Sequence, residues 1–511
     1  MNFASLPDRR AELDPQGPAV ADRSQSLTNI QLLDRVRAAA QHLAQLGIGP
    51  GDVVALRLQN RAEFVVLLFA AWRLGATITP VNPSLTDIEV VRQLDDSGAR
   101  LLVVENDVPA VGNAVTLTVG DVSTDVVRWA FAERPPSSSA LDRLYDALVE
   151  WEQTPQVDSS ALALLIYTSG TTGVPKGVML DHANIDAMTA MGIQGLQIGP
   201  DDRGLLILPL FHVNGIVVSI LTPLLAGASV VIAGRFDPRS FFALVERERP
   251  TFFSGVPTIY SMLAALPADV RPDTSSLRFA ICGAAPASAE LLTRFEDRFS
   301  FPLIEGYGLS EGTCGTTINP VAGLRRAGTV GLPFPGQEIR IVDDSGAEVE
   351  TGVDGELVVR GPNVMRGYLG RPEETARVIV DGWLHTGDVG HVDTDGYLTL
   401  VGRSKDMIIR GGENIYPKEI EDVLVGDSSV LEAAVIGVPD EKWGEIVVAY
   451  VQPRPGSRID PTELKATCAR QLTPYKRPTS IVVVDAIPKN AVGKIDKVSL
   501  RASHVRTPAR S

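Results

Sequence analysis

The sequence predicts an α/β protein: a large N-terminal domain of parallel α/β sheets carrying a β subdomain, followed by a small α+β C-terminal domain. Three observations predict it. From residue 28 to residue 304 short apolar runs alternate with amphipathic stretches, which is the mark of strand–helix–strand units and a parallel sheet. Between residues 331 and 400 the texture changes to short valine-rich segments separated by turns such as Asp344-Ser-Gly346, Asp354-Gly355 and Asp395-Gly396. Beyond Val401 the stretch Gly402-Arg-Ser-Lys-Asp-Met-Ile-Ile-Arg-Gly-Gly-Glu-Asn-Ile415 opens a compact tail with helical patterns at 417–425 and 461–471. A boundary near Gly402 to Lys405 divides the chain into residues 1–402 and 403–511. For 511 residues that agrees with the usual size of folding units.

Each element follows from local chemistry. Thr28 is a natural N-cap for a helix ending at Leu46, with Gly47 as its stop. A strand at 53–58 follows, then a helix capped by Asn60 and running through Leu74, a strand at 76–79, a helix at 86–95 and strands at 100–104 and 161–166. Residues 111–160 carry a weaker pattern, and Arg134-Pro-Pro-Ser-Ser-Ser139 reads as a surface excursion. The alternation resumes with strands at 205–208, 229–232, 251–254 and 277–281 and helices at 217–225 and 240–248. The uncharged run 215–233 is about long enough to span a bilayer, but Pro223, Gly227, Ser219 and Ser229 interrupt it, so a buried helix and strand are expected there.

Composition narrows the function. A net charge of -15 argues against a nucleic-acid partner, which needs a basic face. Cys282, Cys314 and Cys468 lie far apart without a CxxC, and the six histidines form no HxxxH or HExxH pair. Neither a disulfide framework nor a zinc site is suggested. No charged segment with an apolar core opens the chain, so a cytoplasmic, soluble protein is expected. Peripheral membrane contact and a monomeric or homodimeric state are left open.

The strand at 161–166 leads into Tyr167-Thr-Ser-Gly-Thr-Thr-Gly-Val-Pro-Lys-Gly-Val178. Gly170, Gly173 and Gly177 let backbone N–H groups approach an anion; Thr168, Ser169, Thr171 and Thr172 add hydroxyls, and Lys176 adds charge. Polyphosphate is the natural guest. The spacing is not that of a P-loop, because Pro175 and Gly177 flank the lysine, and a flexible linker would not follow a buried strand. Further on, strand 277–281 runs into Cys282-Gly-Ala-Ala-Pro286, and Tyr307-Gly-Leu-Ser-Glu311 joins a ring that can stack on a purine to a carboxylate that can meet Mg²⁺. Thr386-Gly-Asp388 and Arg403 offer contacts for ribose hydroxyls, and Asn490-Ala-Val-Gly-Lys494 sets a lysine on a glycine-bearing loop.

These stretches, in this order, resemble the acyl-adenylate-forming superfamily, which includes acyl-CoA synthetases, luciferases and peptide-synthetase adenylation domains. The resemblance covers roughly residues 28–500. It implies that Thr168, Ser169, Gly170, Thr171, Thr172, Gly173 and Lys176 grip pyrophosphate. Gly283, Ala284 and Ala285 with Tyr307, Gly308 and Ser310 seat adenine, and Glu311 with Thr168 holds magnesium. Asp388 and Arg403 contact ribose, Lys494 is the adenylation lysine, and Lys405 is the hinge of a mobile C-terminal domain. Gly411 and Gly412 meet the pantetheine arm, and His212 is the gate between acyl and pantetheine tunnels. The family commonly has Thr where this chain has Ser310; the hydroxyl is kept. Read as isolated residues, Tyr307 could be core, Asp388 a turn residue and His212 a buried histidine.

The implied activity joins a carboxylic acid to coenzyme A at the expense of ATP, with Mg²⁺. Candidate acyl-pocket residues Phe211, Ile216, Phe252, Phe253, Cys282, Gly312 and Gly315 carry no charge, which favours a fatty or other hydrophobic acid. Leu210-Phe-His-Val-Asn-Gly215 and Val401-Gly-Arg403 also resemble oxalate and malonate CoA ligases, and an aryl acid of coumarate type ranks third. A non-catalytic nucleotide-binding module is the alternative of another class; Lys494 and Glu311 speak against it.

Overall fold

The computed structural model describes residues 3–105, 115–118, 156–168, 175–285, 287–489 and 495–506. Among these residues the chain forms four sheets. The largest runs in the order Leu332–Pro333, Thr317–Ile318, Leu303–Tyr307, Phe279–Cys282, Phe252–Gly255, Arg203–Leu206, Ser229–Ile232, Pro18–Ala21, Ser26–Thr28, parallel through its middle and antiparallel at both edges. A second sheet is ordered Gly367–Tyr368, Lys176–Asp181, Leu162–Thr168, Thr77–Pro80, Val53–Arg57, Ala99–Val104, Val115–Thr118. Helices Asn29–Gln45, Ala62–Arg73 and His182–Leu196 contribute to one core with strands of both sheets.

Sequence explains why these helices sit inside. Every residue of Ala62–Arg73 is buried, as an all-round apolar helix requires, and the Trp72 indole N–H donates to the Ala163 carbonyl at 2.8 Å. Thr28 and Thr86 each close a capping box, with Gln31 and Glu89 respectively. Asn60 does not cap its helix. Arg61 occupies the N-cap, and the Asn60 amide reaches across the molecule to Leu208 and Leu210. The uncharged run 215–233 folds as a π-helical segment Asn214–Leu221, a short helix Thr222–Leu225 and the strand Ser229–Ile232. No described helix is long and apolar enough to cross a membrane.

The β subdomain is an antiparallel sheet of Glu338–Val342, Gly355–Arg360, Trp383–Val392 and Ile379–Val380, with Leu398–Arg403 paired to Trp383–Val392. The smaller C-terminal domain builds its own sheet from Ile408–Arg410, Glu413–Ile415, Val430–Asp440, Gly444–Pro453 and Ser480–Val483, with a core of its own around Ile420, Val435, Val447 and Leu464. Mixed parallel α/β sheets in a large N-terminal domain and a smaller α+β C-terminal domain are thus the architecture that the alternation and the Asp-Gly turns predict.

Candidate active site

Two parallel strands of the large sheet, Phe279–Cys282 and Leu303–Tyr307, end side by side and release the loops that carry most of the candidate residues. The loops fit only with glycine at key points. An ideal Cβ on Gly308 would lie 1.6 Å from the Cys314 carbonyl oxygen, and one on Gly306 would lie 2.6 Å from Ile318 Cδ1 and 3.1 Å from the Thr317 carbonyl oxygen, whereas Gly283 has only ordinary contact, at 3.5 Å, with the Gly306 carbonyl oxygen. Backbone strain gathers in the same place: Ala284 has φ 66°, Thr313 φ 54° and Cys314 φ 101°. Non-glycine residues hold such angles where surrounding structure over-determines them, and functional loops are the usual setting. Ala284 and Ala285 are exposed at this rim, and Ser310 starts the short 3-10 turn Ser310–Gly312 beside Glu311.

Asp388 is the centre of one charged cluster. Its carboxylate accepts the Tyr307 hydroxyl at 2.5 Å and pairs with Arg403 Nε at 2.7 Å, while only 4% of the residue is exposed. The sheet itself sets this geometry, because Asp388 and Arg403 are direct antiparallel neighbours. The Asp388 backbone N–H donates to the Thr386 hydroxyl at 3.0 Å, which fixes the turn. Burial first, and then the Asp388 charge, pushes the Tyr307 phenol well above its ordinary range, so it remains a neutral donor. Tyr307 also leans on the subdomain core of Ile341, Leu357, Val359 and Leu398 while staying partly exposed. It packs against the core with its ring and reaches Asp388 with its hydroxyl.

A second cluster lies where Lys176–Asp181 meets Gly367–Tyr368. Thr168 and Lys176 face each other across the antiparallel pair that flanks residues 169–174. Ser169, Gly170, Thr171, Thr172 and Gly173 lie outside the described residues, as does Lys494. Lys176 Nζ sits 5.0 Å from the centre of the Tyr368 ring and pairs with Glu374. The Tyr368 hydroxyl donates to Glu311 at 2.9 Å. Tyr167 donates to Asp96 at 2.7 Å, and Arg371 lies 3.6 Å from the same carboxylate, anchoring the base of the hairpin.

His212 follows a loop tied down by Asn60, which donates to the Leu208 carbonyl at 2.9 Å and accepts the Leu210 N–H at 3.0 Å. Its ring lies 4.5 Å from that of Phe211, directly before the π-helical segment. Three sequence-based pocket candidates belong to the core instead. Phe252 stacks on Phe279, Phe253 packs with Phe241 and Tyr260, and Cys282 is 1% exposed. Ile216 is likewise fully buried. Gly315 is closed in by Phe334 and Met188, within 2.9 Å of where its Cβ would be, and Gln337 donates to its carbonyl at 2.8 Å. Nearby, burial raises the Cys314 thiol to about 12 despite a hydrogen bond from Asn214. The Asn214 Oδ1 and Thr316 Oγ1 atoms are buried without a hydrogen-bond partner among the described residues.

On the C-terminal side Lys405 lies in the turn Ser404–Asp406, its ammonium lowered by burial and by Arg403. Gly411 and Gly412 have φ 62° and 90°, and the Gly411 N–H donates to the Trp443 carbonyl at 2.8 Å. Helix Pro417–Val425 brings Lys418 and Asp422 into the electrostatic environment of Glu305. Glu305, Tyr368, Glu374 and Asn60 are the residues that sequence reasoning missed. Only Glu305 left a local signal, as a carboxylate inside an otherwise apolar strand.

The chain matches the AMP-binding enzyme family model over residues 7–369 and the AMP-binding enzyme C-terminal domain over residues 419–494. It is 39% identical over 506 residues to a feruloyl-CoA synthase of an Amycolatopsis species, covering 98% of each chain. It is 37% identical over 502 residues to an oxalate–CoA ligase of Arabidopsis thaliana, covering 96% of this chain and 95% of that one. The crystal structure of ATP-bound MatB from Rhodopseudomonas palustris superimposes with a TM-score of 0.88 at 32% identity over 99% of both chains. With both family domains in order and the converging loops in place, the chain belongs to the AMP-binding enzyme family, within the acyl-adenylate-forming superfamily.

Proposed function

We propose that the chain is an AMP-forming acid–CoA ligase whose acid has an apolar, aryl-substituted body. The observation that supports the chemistry best is the convergence of Tyr307, Asp388 and Arg403 on one side of the loop after Leu303–Tyr307, and of Glu311, Tyr368 and Lys176 on the other. The first set suits a nucleoside: a ring to carry the base and a buried carboxylate to accept ribose hydroxyls. The second suits phosphates. Among the described residues no group of three metal-binding side chains occurs, and Glu311 is a carboxylate whose Oε1 is held by the Tyr368 hydroxyl. That donor set fits Mg²⁺, which takes one or two carboxylates and completes its shell with phosphate oxygens and water. When bound, the ion neutralises phosphate charge.

In the first half-reaction the acid's carboxylate oxygen attacks the α-phosphorus of ATP and the bond to pyrophosphate breaks, giving acyl-AMP. Lys494 bridges the two anions and offsets the charge that accumulates between them. In the second, the thiol of coenzyme A attacks the acyl carbonyl and AMP leaves. Lys494 then stands in the thiol's path, and rotation of residues 403–511 about Lys405 exchanges it for the Arg410-Gly411-Gly412 face. His212 gates the passage between acid and pantetheine.

The acid follows from the residues around Gly315. Segments 187–191, 211–217, 312–316 and 334–337 contain no Lys or Arg, which disfavours a second carboxylate on the substrate. Phe334 and Met188 crowd Gly315, which suits a flat ring better than a long fatty chain, and the unpartnered oxygens of Asn214 and Thr316 suit a ring with a hydroxyl donor. The feruloyl-CoA synthase relative points the same way. The test is a panel of hydroxylated aryl acids, medium and long fatty acids, oxalate and malonate, assayed for CoA-dependent AMP formation. Aryl acids should lead the dicarboxylates by at least about tenfold in kcat/KM, or about 1.4 kcal/mol. A fatty acid or a dicarboxylate at the head of the panel refutes the substrate assignment.

A further inference from the structure

The geometry points to Tyr368 as a positioning residue that keeps Lys176 and Glu311 apart before nucleotide binds and aims the Glu311 carboxylate for Mg²⁺. This rests on the proposed role of Glu311. Tyr368 is 8% exposed and touches both charges at once: its ring lies under Lys176 at 5.0 Å and its hydroxyl donates to Glu311 at 2.9 Å. Without that ring the lysine and the carboxylate, opposite charges facing one small volume, would pair directly. Each would then need to be prised from the other before phosphate or metal could bind. Instead the lysine's counter-ion is Glu374, on helix Pro372–Val378, and the hydroxyl holds one Glu311 oxygen, Oε1, leaving the other for a cation.

The tyrosine itself is held from several directions. Its backbone N–H donates to the Thr375 hydroxyl at 2.9 Å, and the next residue, Leu369, donates to the Gly177 carbonyl at 2.8 Å. Tyr368 pairs with Val178 across the sheet edge. Gly367, at φ 137° with its absent Cβ only 2.5 Å from Thr375, lets the chain approach that closely. The strand carrying Tyr368 is thus locked to the strand carrying Lys176, so the ring stays with the lysine it separates from Glu311.

Calorimetric titration of ATP without acid substrate, repeated over a range of Mg²⁺ concentrations, tests this on the full chain. Tyr368→Phe keeps the ring and removes the hydroxyl. It should raise the Mg²⁺ concentration for half-maximal tightening of ATP binding by at least about tenfold, the low end for a hydrogen bond to a charged group, and leave metal-free ATP affinity within about twofold. Glu374→Gln should do the reverse, raising metal-free ATP affinity by about threefold as Lys176 loses its competing counter-ion. A Tyr368→Phe curve that superimposes on the wild type, or a parallel fall in metal-free and Mg²⁺-bound affinity, overturns the positioning role. Glu311→Gln separates the two readings. If it raises the Mg²⁺ requirement while Tyr368→Phe does not, only the tyrosine's role fails; if it has no effect on that requirement, the metal role of Glu311 fails and the tyrosine's role falls with it.

Discussion

Replacing Glu305 by glutamine should change how stability depends on pH, in a direction the structure fixes. The carboxyl is 7% exposed in the middle of the strand Leu303–Tyr307, and burial pushes it from 4.5 up to about 7. Its surroundings account for this. Oε1 accepts the Ala287 N–H at 3.2 Å, while Oε2 is buried without a partner among the described residues. The Gly328 N–H and the Lys418 charge favour ionisation, Asp422 opposes it, and Cys282 sits opposite on the neighbouring strand. A folded-state value above the unfolded one means that the folded chain holds a proton the unfolded chain has released. Its contribution is therefore fully present below about pH 4.5, fades as the pH rises, and is lost above about pH 7. The interval from 4.5 to about 7, at about 1.4 kcal/mol per pH unit, comes to about 3 kcal/mol at pH 8. Glu305→Gln keeps an acceptor for Ala287 and cannot ionise. Relative to the wild type it should be neutral within about 0.5 kcal/mol near pH 4.5 and more stable by up to about 3 kcal/mol at pH 8. Urea unfolding of both proteins between pH 4.5 and 8 gives the comparison. A stability difference that stays constant over this range, or that favours the wild type at pH 8, refutes the reasoning.

Two further outcomes follow from the site. Asp388→Asn removes the charge shared by Tyr307 and Arg403; because the Arg403 side chain is 47% exposed its share is small, so a loss of about 2 kcal/mol of stability is expected, with a rise of about tenfold in KM for ATP. Urea midpoints and ATP saturation curves measure it, and unchanged ATP saturation alongside lost stability would reduce Asp388 to a structural residue. Lys494→Ala should abolish acyl-AMP formation yet still convert supplied acyl-AMP to the thioester, whereas Lys405→Pro, with φ fixed near about -65°, should spare adenylation and slow thioester formation. Assaying the two half-reactions separately decides this, and a parallel loss in both variants refutes domain rotation.

What could be read from the sequence divides along physical lines. Thr28 and Thr86 announce their helices because a capping box lies within a few residues of chain, whereas Asn60 looks like a cap and instead serves the loop that ends in His212, about which its neighbours say nothing. Phe252, Phe253 and Cys282 were mistaken for pocket residues because a strand covered on both faces is apolar throughout, so hydrophobicity cannot separate core from cavity wall. Tyr307, Asp388 and Arg403 stand out in the sequence because their residue types answer to one ligand chemistry, and the fold brings these three together. Tyr368 and Glu374 were not, since their meaning lies in contact with Glu311 and Lys176, far away in the chain.

That the two charged clusters hang from a single loop has a mechanical consequence. Tyr307 closes the strand Leu303–Tyr307 and reaches Asp388; Glu311, four residues on, reaches Tyr368. Between them Gly308 is packed so closely against the Cys314 carbonyl that no side chain fits, the Thr316 N–H donates back to the Tyr307 carbonyl at 2.8 Å, and the Asn363 amide donates to the Gly312 carbonyl at 2.7 Å. A loop braced in this way holds the Asp388 cluster and the Glu311 cluster, the proposed nucleoside and phosphate contacts, in fixed relation to each other. On the proposed assignment the separation of the two clusters matters more than any single contact, because a reaction at the α-phosphorus takes place between base and pyrophosphate, and the positive φ of Thr313 and Cys314 belongs to the same braced loop.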